Sequence, residues 1–171
     1  MSCPITLAGI TRDCKGIGGV KEIYISDRTK VSTLTINGTT EIVTAITMVG
    51  GAKFKVYEVR KQIASMTSTA TIDDSTGTKF IETMVSVAFG KMTNLKRAEI
   101  KALALGDLAV IVKDNANKFW YLGFEHPVTL TEGTASTGTA YGDANQYQVT
   151  LQDLSKDFPY EVAANAVAVV L

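Results

Sequence analysis

The sequence predicts a mainly β protein, an antiparallel β-sandwich or barrel with one flanking α-helix at about residues 93–105. Three observations carry that expectation. About ten stretches read as strands, by alternation of apolar and polar residues or as short apolar runs between turn residues. Thr93–Phe124 (TNLKRAEIKALALGDLAVIVKDNANKFWYLGF) opens with a helical period and runs on into an apolar strand and an aromatic one. Strands and helices do not alternate along the chain, which argues against a parallel α/β sheet.

The first strand is expected at Val20–Ser26, half-buried, with Ile23 and Ile25 on one face and Glu22 and Tyr24 on the other. Asp27–Lys30 turns. Val31–Ile36 alternates apolar and hydroxyl residues, with one irregularity because Val31 faces away from Leu34 and Ile36. Asn37-Gly38 suits a type I′ turn, which needs positive φ at both central positions. Glu41–Met48 is the return strand, and Gly50-Gly51 turns again. Lys53–Arg60 alternates, with Phe54, Val56 and Glu58 opposite Lys53, Lys55, Tyr57 and Val59.

Lys61–Ile72 is a weaker strand of small and hydroxyl residues, followed by a loop at Asp73–Lys79. Phe80–Phe89 is a long strand with Ile81, Thr83, Val85, Val87 and Phe89 on one face. Thr93 or Asn94 caps the helix, since a short side-chain oxygen accepts a free N–H of the first turn. Leu95, Ala98, Ala102 and Leu105 fall on one helical face and mark it as the packed one. Gly106 sits where a left-handed stop is expected.

Leu108–Lys113 is nearly all apolar, as in a strand buried on both faces. Asp114–Asn117 supplies turn chemistry, and Phe119–Phe124 returns as an aromatic strand. Val128–Tyr141 reads as a Gly/Ser/Thr-rich surface loop, and Gln146–Leu154 as a strand with Tyr147, Val149 and Leu151 on one face. Val162–Leu171 is expected to be a closing strand, which either tucks into its own sheet or pairs with a neighbouring subunit.

At 171 residues the chain is one domain's length. Residues 1–19, with Pro4 and four glycines, read as an extended N-terminal arm, and 20–171 as the single β domain. Lys+Arg and Asp+Glu are equal at 17 each, so nothing marks a basic nucleic-acid binder, and zero net charge does little to oppose self-association. No stretch of about 18 apolar residues is present, so no transmembrane helix and no membrane partner is expected. The N-terminus has no basic leader with an apolar core, which points to synthesis in a cytoplasm. There Cys3 and Cys14 are expected to be reduced; the alternative, a disulfide across so short a loop, would contribute about 2–3 kcal/mol.

Chemistry is sparse. The glycines before Val20 are not followed by a GK[ST] phosphate cradle. Asp73-Asp74 lacks the ligand order of a calcium loop. His126, the sole histidine, has no nucleophile or paired carboxylate at a known spacing. No enzyme, metal or cofactor is expected.

Four segments carry a family resemblance: CPITLAGITRDCKGIGGVKEIYIS, the strand-loop-strand series up to Phe89, TNLKRAEIKALALGDLAVIVKD with NKFWYLG, and YGDANQYQVTLQDLSKDFPYEV. Together their layout resembles virion structural proteins of tailed bacteriophages of Bacteroidetes-type hosts. The ending is similar to that of tail-tube subunits, although LQDLSKDFPYE lacks the glycine which that pattern carries. The resemblance implies a β-sandwich or barrel with a flanking helix. It implies hexameric rings that stack into a hollow conduit for DNA, with a long hairpin and an extended arm reaching neighbouring subunits. The implied partners are copies of the chain, other tail or neck proteins, and DNA passing without specific binding. The implied location is the virion, after synthesis in the host bacterial cytoplasm.

On that reading the assembly interface falls on the hairpin residues Val31, Leu34, Ile36, Asn37, Gly38, Ile42, Val43, Ile46 and Met48, and on Val167, Val169 and Leu171 at the end. An ordinary surface hairpin is the competing account. A capsid decoration or neck protein is the alternative within the virion. A carbohydrate- or receptor-binding module is the alternative outside it, with Phe119, Trp120, Tyr121 and Tyr141 as stacking residues.

Overall fold

The computed structural model describes residues 9–10, 16–60 and 63–171. The expected arm lies mostly outside the described residues, as do Cys3 and Cys14. Eleven strands and two α-helices occur among the described residues. The strands are β1 Val20–Asp27, β2 Val31–Ile36, β3 Val43–Met48, β4 Lys55–Glu58, β5 Ser65–Asp73 and β6 Thr78–Gly90. Then come helix α1 Asn94–Leu105, β7 Leu108–Asp114, β8 Phe119–Leu122, β9 Thr129–Ser136, β10 Gln146–Ser155, β11 Tyr160–Val162 and helix α2 Ala164–Val170. They form a seven-stranded sheet, β2-β3-β11-β8-β7-β1-β4, and a four-stranded sheet, β5-β6-β10-β9. Pairing is antiparallel apart from Val162 of β11 beside Val43 of β3. The protein is thus dominated by β-sheet, with two short helices.

The core has two parts. Ile23, Ile25, Val110, Val112 and Leu122 of the larger sheet share a cluster with Val85, Val87, Val149 and Leu151 of the smaller one, closed at one end by Leu103 of α1. Tyr24, Val43, Ile46, Ile111 and Tyr121, on the other face of the larger sheet, pack with Ala166, Val167 and Val170 of α2. The expected double burial of β7 holds, since Val110, Ile111 and Val112 are fully buried. β1, read as half-buried, is covered on both faces too, with Tyr24 in the second cluster. The long β6 faces inward through Ile81, Thr83, Val85 and Val87, as its alternation requires.

Several expectations are corrected. The Asn37-Gly38 turn is not a two-residue I′ hairpin. Its loop runs from 37 to 42, the Asn37 side chain accepts the Thr39 and Thr40 N–H groups at 2.9 and 3.2 Å, and the positive φ falls on Glu41. An Asn that caps its own downstream backbone makes a wider turn than the I′ form. Val128–Tyr141 is not all loop: β9 pairs with β10, because an edge strand needs backbone partners more than apolar side chains.

The chain end is not one strand. β11 joins the sheet between β3 and β8, then an alanine-rich turn becomes α2, which presents Ala166, Val167 and Val170 to the core. Gly106 is extended, at φ −102 and ψ 154, rather than left-handed.

The helix itself is where expected, with the Thr93 hydroxyl accepting the Lys96 N–H at 3.3 Å. Its packed face is not. Ile100 and Leu103 pack on the core, while Leu95 and Leu105 are 83% and 81% exposed. Polar anchors set this roll: the Lys96 ammonium donates to the Gly90 and Lys91 carbonyls, and the Tyr57 hydroxyl donates to Glu99. None of the helices among the described residues is long and apolar enough to cross a membrane.

Candidate assembly surface

The four-stranded sheet presents one face to the core and one away from it. Its inner face belongs to the core, so alternate residues point outward. Cross-strand register puts Ser65, Thr67 and Thr69 of β5 beside Ser86, Met84 and Glu82 of β6. Those in turn face Thr150, Gln152 and Leu154 of β10, and β9 adds Glu132, Thr134 and Ser136. The outward rows of these strands thus hold hydroxyls, amides and two carboxylates with Phe80, Met84, Ala88 and Leu154 among them, and no Lys or Arg. Side-chain ladders run across them: Gln152 donates to Glu82, and Gln148 to the Ser86 hydroxyl at 3.4 Å.

Both sheet edges, β5 and β9, are open among the described residues. They are nine and eight residues long. Each pairing in the sheet is antiparallel, so four strands alternate in direction and the two edges run opposite to one another. Under rotational symmetry, one subunit's β9 therefore meets the next subunit's β5 in antiparallel register.

The residues singled out from the sequence divide. Val31, Val43, Ile46 and Val167 are buried within the chain, and Leu34, Ile36, Met48 and Leu171 pack against the same cluster. Ile42 is half-buried. Asn37 and Gly38 lie in the exposed loop, and Val169 is 76% exposed. The Val31–Met48 hairpin therefore serves mainly as the bed for α2, with its outer edge strand β2 facing solvent through Ser32, Thr33 and Thr35.

The aromatic residues do not form one platform. Trp120 packs on the inter-sheet cluster and donates to Asp114 at 3.1 Å, Phe119 and Tyr121 join the other cluster, and Tyr141 stands in an exposed loop. A scan against protein-family models, a search of curated proteins and a search of solved structures each found no match. The reading of this surface therefore rests on its own geometry.

Asp73, half of the acidic pair at the β5–β6 tip, caps its turn: its carboxylate accepts the Ser75 N–H and hydroxyl at 2.8 and 2.6 Å and the Thr76 N–H at 3.4 Å. Those bonds, the Ser75 hydroxyl foremost, hold its carboxyl below the usual range. Among the described residues no three His, Cys, Asp or Glu side chains gather as a metal site. His126 is exposed beside Phe80 and Leu154.

One buried polar pair escaped the sequence reading. Tyr121 and Asp153 line a cavity of about 10 Å³, and the Tyr121 hydroxyl and one Asp153 oxygen have no hydrogen-bond partner among the described residues. Burial pushes the Tyr121 phenol up to about 12 and raises the Asp153 carboxyl, against the Gly123 N–H that it accepts. The alternation of Tyr147, Val149 and Leu151 continues to Asp153, so the inward carboxylate was there to be found.

Proposed function

We propose that this chain is a virion structural protein of a tailed bacteriophage, a tail-tube subunit that closes into hexameric rings. The observation that carries this reading is the four-stranded sheet with two oppositely directed edges that, among the described residues, no strand pairs with, and outward strand rows that contain no Lys or Arg. In the ring, each β9 pairs with the neighbour's β5, which satisfies the backbone groups that an isolated subunit leaves at its edges. The two sheets act as a sandwich, the smaller one becoming part of a shared barrel.

Six copies of this sheet bring about 24 strands; at a spacing of about 4.8 Å and a tilt of about 40° they close a barrel about 50 Å across. That leaves a bore for duplex DNA. A wall of hydroxyls, amides, carboxylates and a few apolar side chains makes no lasting phosphate contacts, since Lys and Arg are what dominate such affinity. The bore thus belongs to this sheet, and the Val31–Met48 hairpin lies on the outside with its exposed loop at Asn37-Gly38. Other tail or neck proteins cap the stack.

The test is negative-stain electron microscopy of the purified protein together with light scattering. Six-fold rings or hollow tubes are expected. A strict monomer at high concentration overturns the reading, and a trimer points instead to a capsid decoration protein.

A further inference from the structure

Helix α1 carries an apolar stripe that nothing among the described residues covers. Leu95 and Leu105 are 83% and 81% exposed, and Ala98 and Ala102 between them are exposed too. The stripe is about 15 Å long, at 1.5 Å per residue. Arg97 and Lys101 follow its border, and among the described residues neither has a carboxylate within ion-pair distance. The roll of the helix is fixed by Lys96 and Glu99, so the stripe cannot turn inward without breaking those bonds.

The tip of the β5–β6 hairpin is its complement. Ile81 is fully buried, but Ala70 and Ile72, on the same core-facing side of the hairpin, are exposed, with Ile72 at 66%. The tip therefore projects past the core. Phe80 on its other face is 42% exposed. The turn carries Asp73 and Asp74, and the adjacent Lys79 is drawn toward Asp157 at 3.9 Å. The result is a finger whose core-facing side carries the exposed Ala70 and Ile72, with Lys79 across from Ile72, and whose end is acidic.

The two patches cannot meet within one molecule. They sit at opposite ends of β6, whose 13 residues span about 40 Å. α1 is held to the Gly90 end, and the finger is the Thr78 end. We propose that the β5–β6 finger of one copy docks on the α1 stripe of a second copy, Ala70 and Ile72 lying along it between Leu95 and Leu105, with the tip acids facing Arg97 and Lys101. This rests on the self-assembly reading above and gives it a second contact: edge pairing closes a ring, and finger-to-helix docking joins one ring to the next. The contact is heterologous, so it repeats without closing and builds a stack.

The experiment uses two charge-reversed full-length proteins, Arg97→Glu with Lys101→Glu, and Asp74→Lys. Asp73 is left alone because it holds the turn. Each change is on the surface, and circular dichroism checks that the fold persists. Sedimentation velocity and electron microscopy read ring and stack separately. Each variant alone is expected to weaken stacking at least about tenfold while leaving rings intact, because like charges now face each other. An equimolar mixture of the two is expected to stack again, since the acidic helix of one meets the basic tip of the other. Stacks unchanged in both variants, or not restored in the mixture, overturn the docking but leave the ring reading standing. A wild-type protein that forms no rings and no stacks overturns both.

Discussion

Replacing Asp153 by Asn isolates the cost of the buried carboxylate in β10. Asp153 is 3% exposed, and its Oδ1 has no hydrogen-bond partner among the described residues. Asparagine keeps one oxygen as acceptor and turns the unpaired one into an amide donor in the cavity shared with the Tyr121 hydroxyl. Leaving a buried polar group unsatisfied costs about 1–3 kcal/mol, so Asp153→Asn is expected to stabilise the protein by about that much near neutral pH. For a chain of this size each kcal/mol is about 2–4 °C in Tm.

The sign follows from linkage. Burial raises the Asp153 carboxyl in the folded state, so folding favours the protonated form. The penalty is absent below the unfolded value, near pH 4, grows as pH rises, and is complete above the folded value. Urea titrations of wild type and variant should therefore diverge at neutral pH and converge in acid. Adding Tyr121→Phe to the variant should remove part of the gain, by about 1 kcal/mol if the amide and hydroxyl are coupled. A variant less stable than wild type at neutral pH, or a gain that persists in acid, would refute the reasoning by showing that the carboxylate is satisfied in the native state.

Two further outcomes are expected. Gly123→Ala should lose more than about 1 kcal/mol by urea titration, because φ is +90 there and a Cβ would lie 3.1 Å from the Leu108 carbonyl oxygen. Glu22→Gln should lose about 1 kcal/mol near neutral pH, because Glu22 accepts from the Tyr24 hydroxyl and from the Lys113 ammonium at 3.1 Å. Those bonds, the Tyr24 one foremost, lower the Glu22 carboxyl in the folded state. Its contribution is therefore present above the unfolded value and lost as pH falls through the folded one, so the variant's stability should fall less steeply in acid.

Local patterns made much of the fold legible. β6, β7 and β10 follow from alternation or continuous apolarity, and α1 from its period and its Thr93 cap. β9 was hidden because its side chains are exposed; only its pairing with β10 makes it a strand. The C-terminal AVAVV segment has β-branched residues that suit a strand. It becomes helix α2 because the outer face of the large sheet needs a cover and a helix presents Ala166, Val167 and Val170 together. The burial of the Val31–Met48 hairpin was hidden for a related reason. Apolar residues of the Val31–Met48 hairpin look like a contact surface in one dimension, but in three they are the floor beneath α2.

What the sequence by itself determined is the local element: where the backbone alternates, where it coils, and where a cap or turn residue interrupts it. Those choices depend on neighbours within a few residues, which the sequence displays. The tertiary structure decided which face each element buries and which edges stay open. Helix α1 shows why: it offers apolar residues on two faces, and its roll was set by Tyr57, Gly90 and Lys91, residues on other elements. The same docking left Leu95 and Leu105 outside, and the same sheet order left β5 and β9 at the edges of the smaller sheet, features that exist only once the chain has folded.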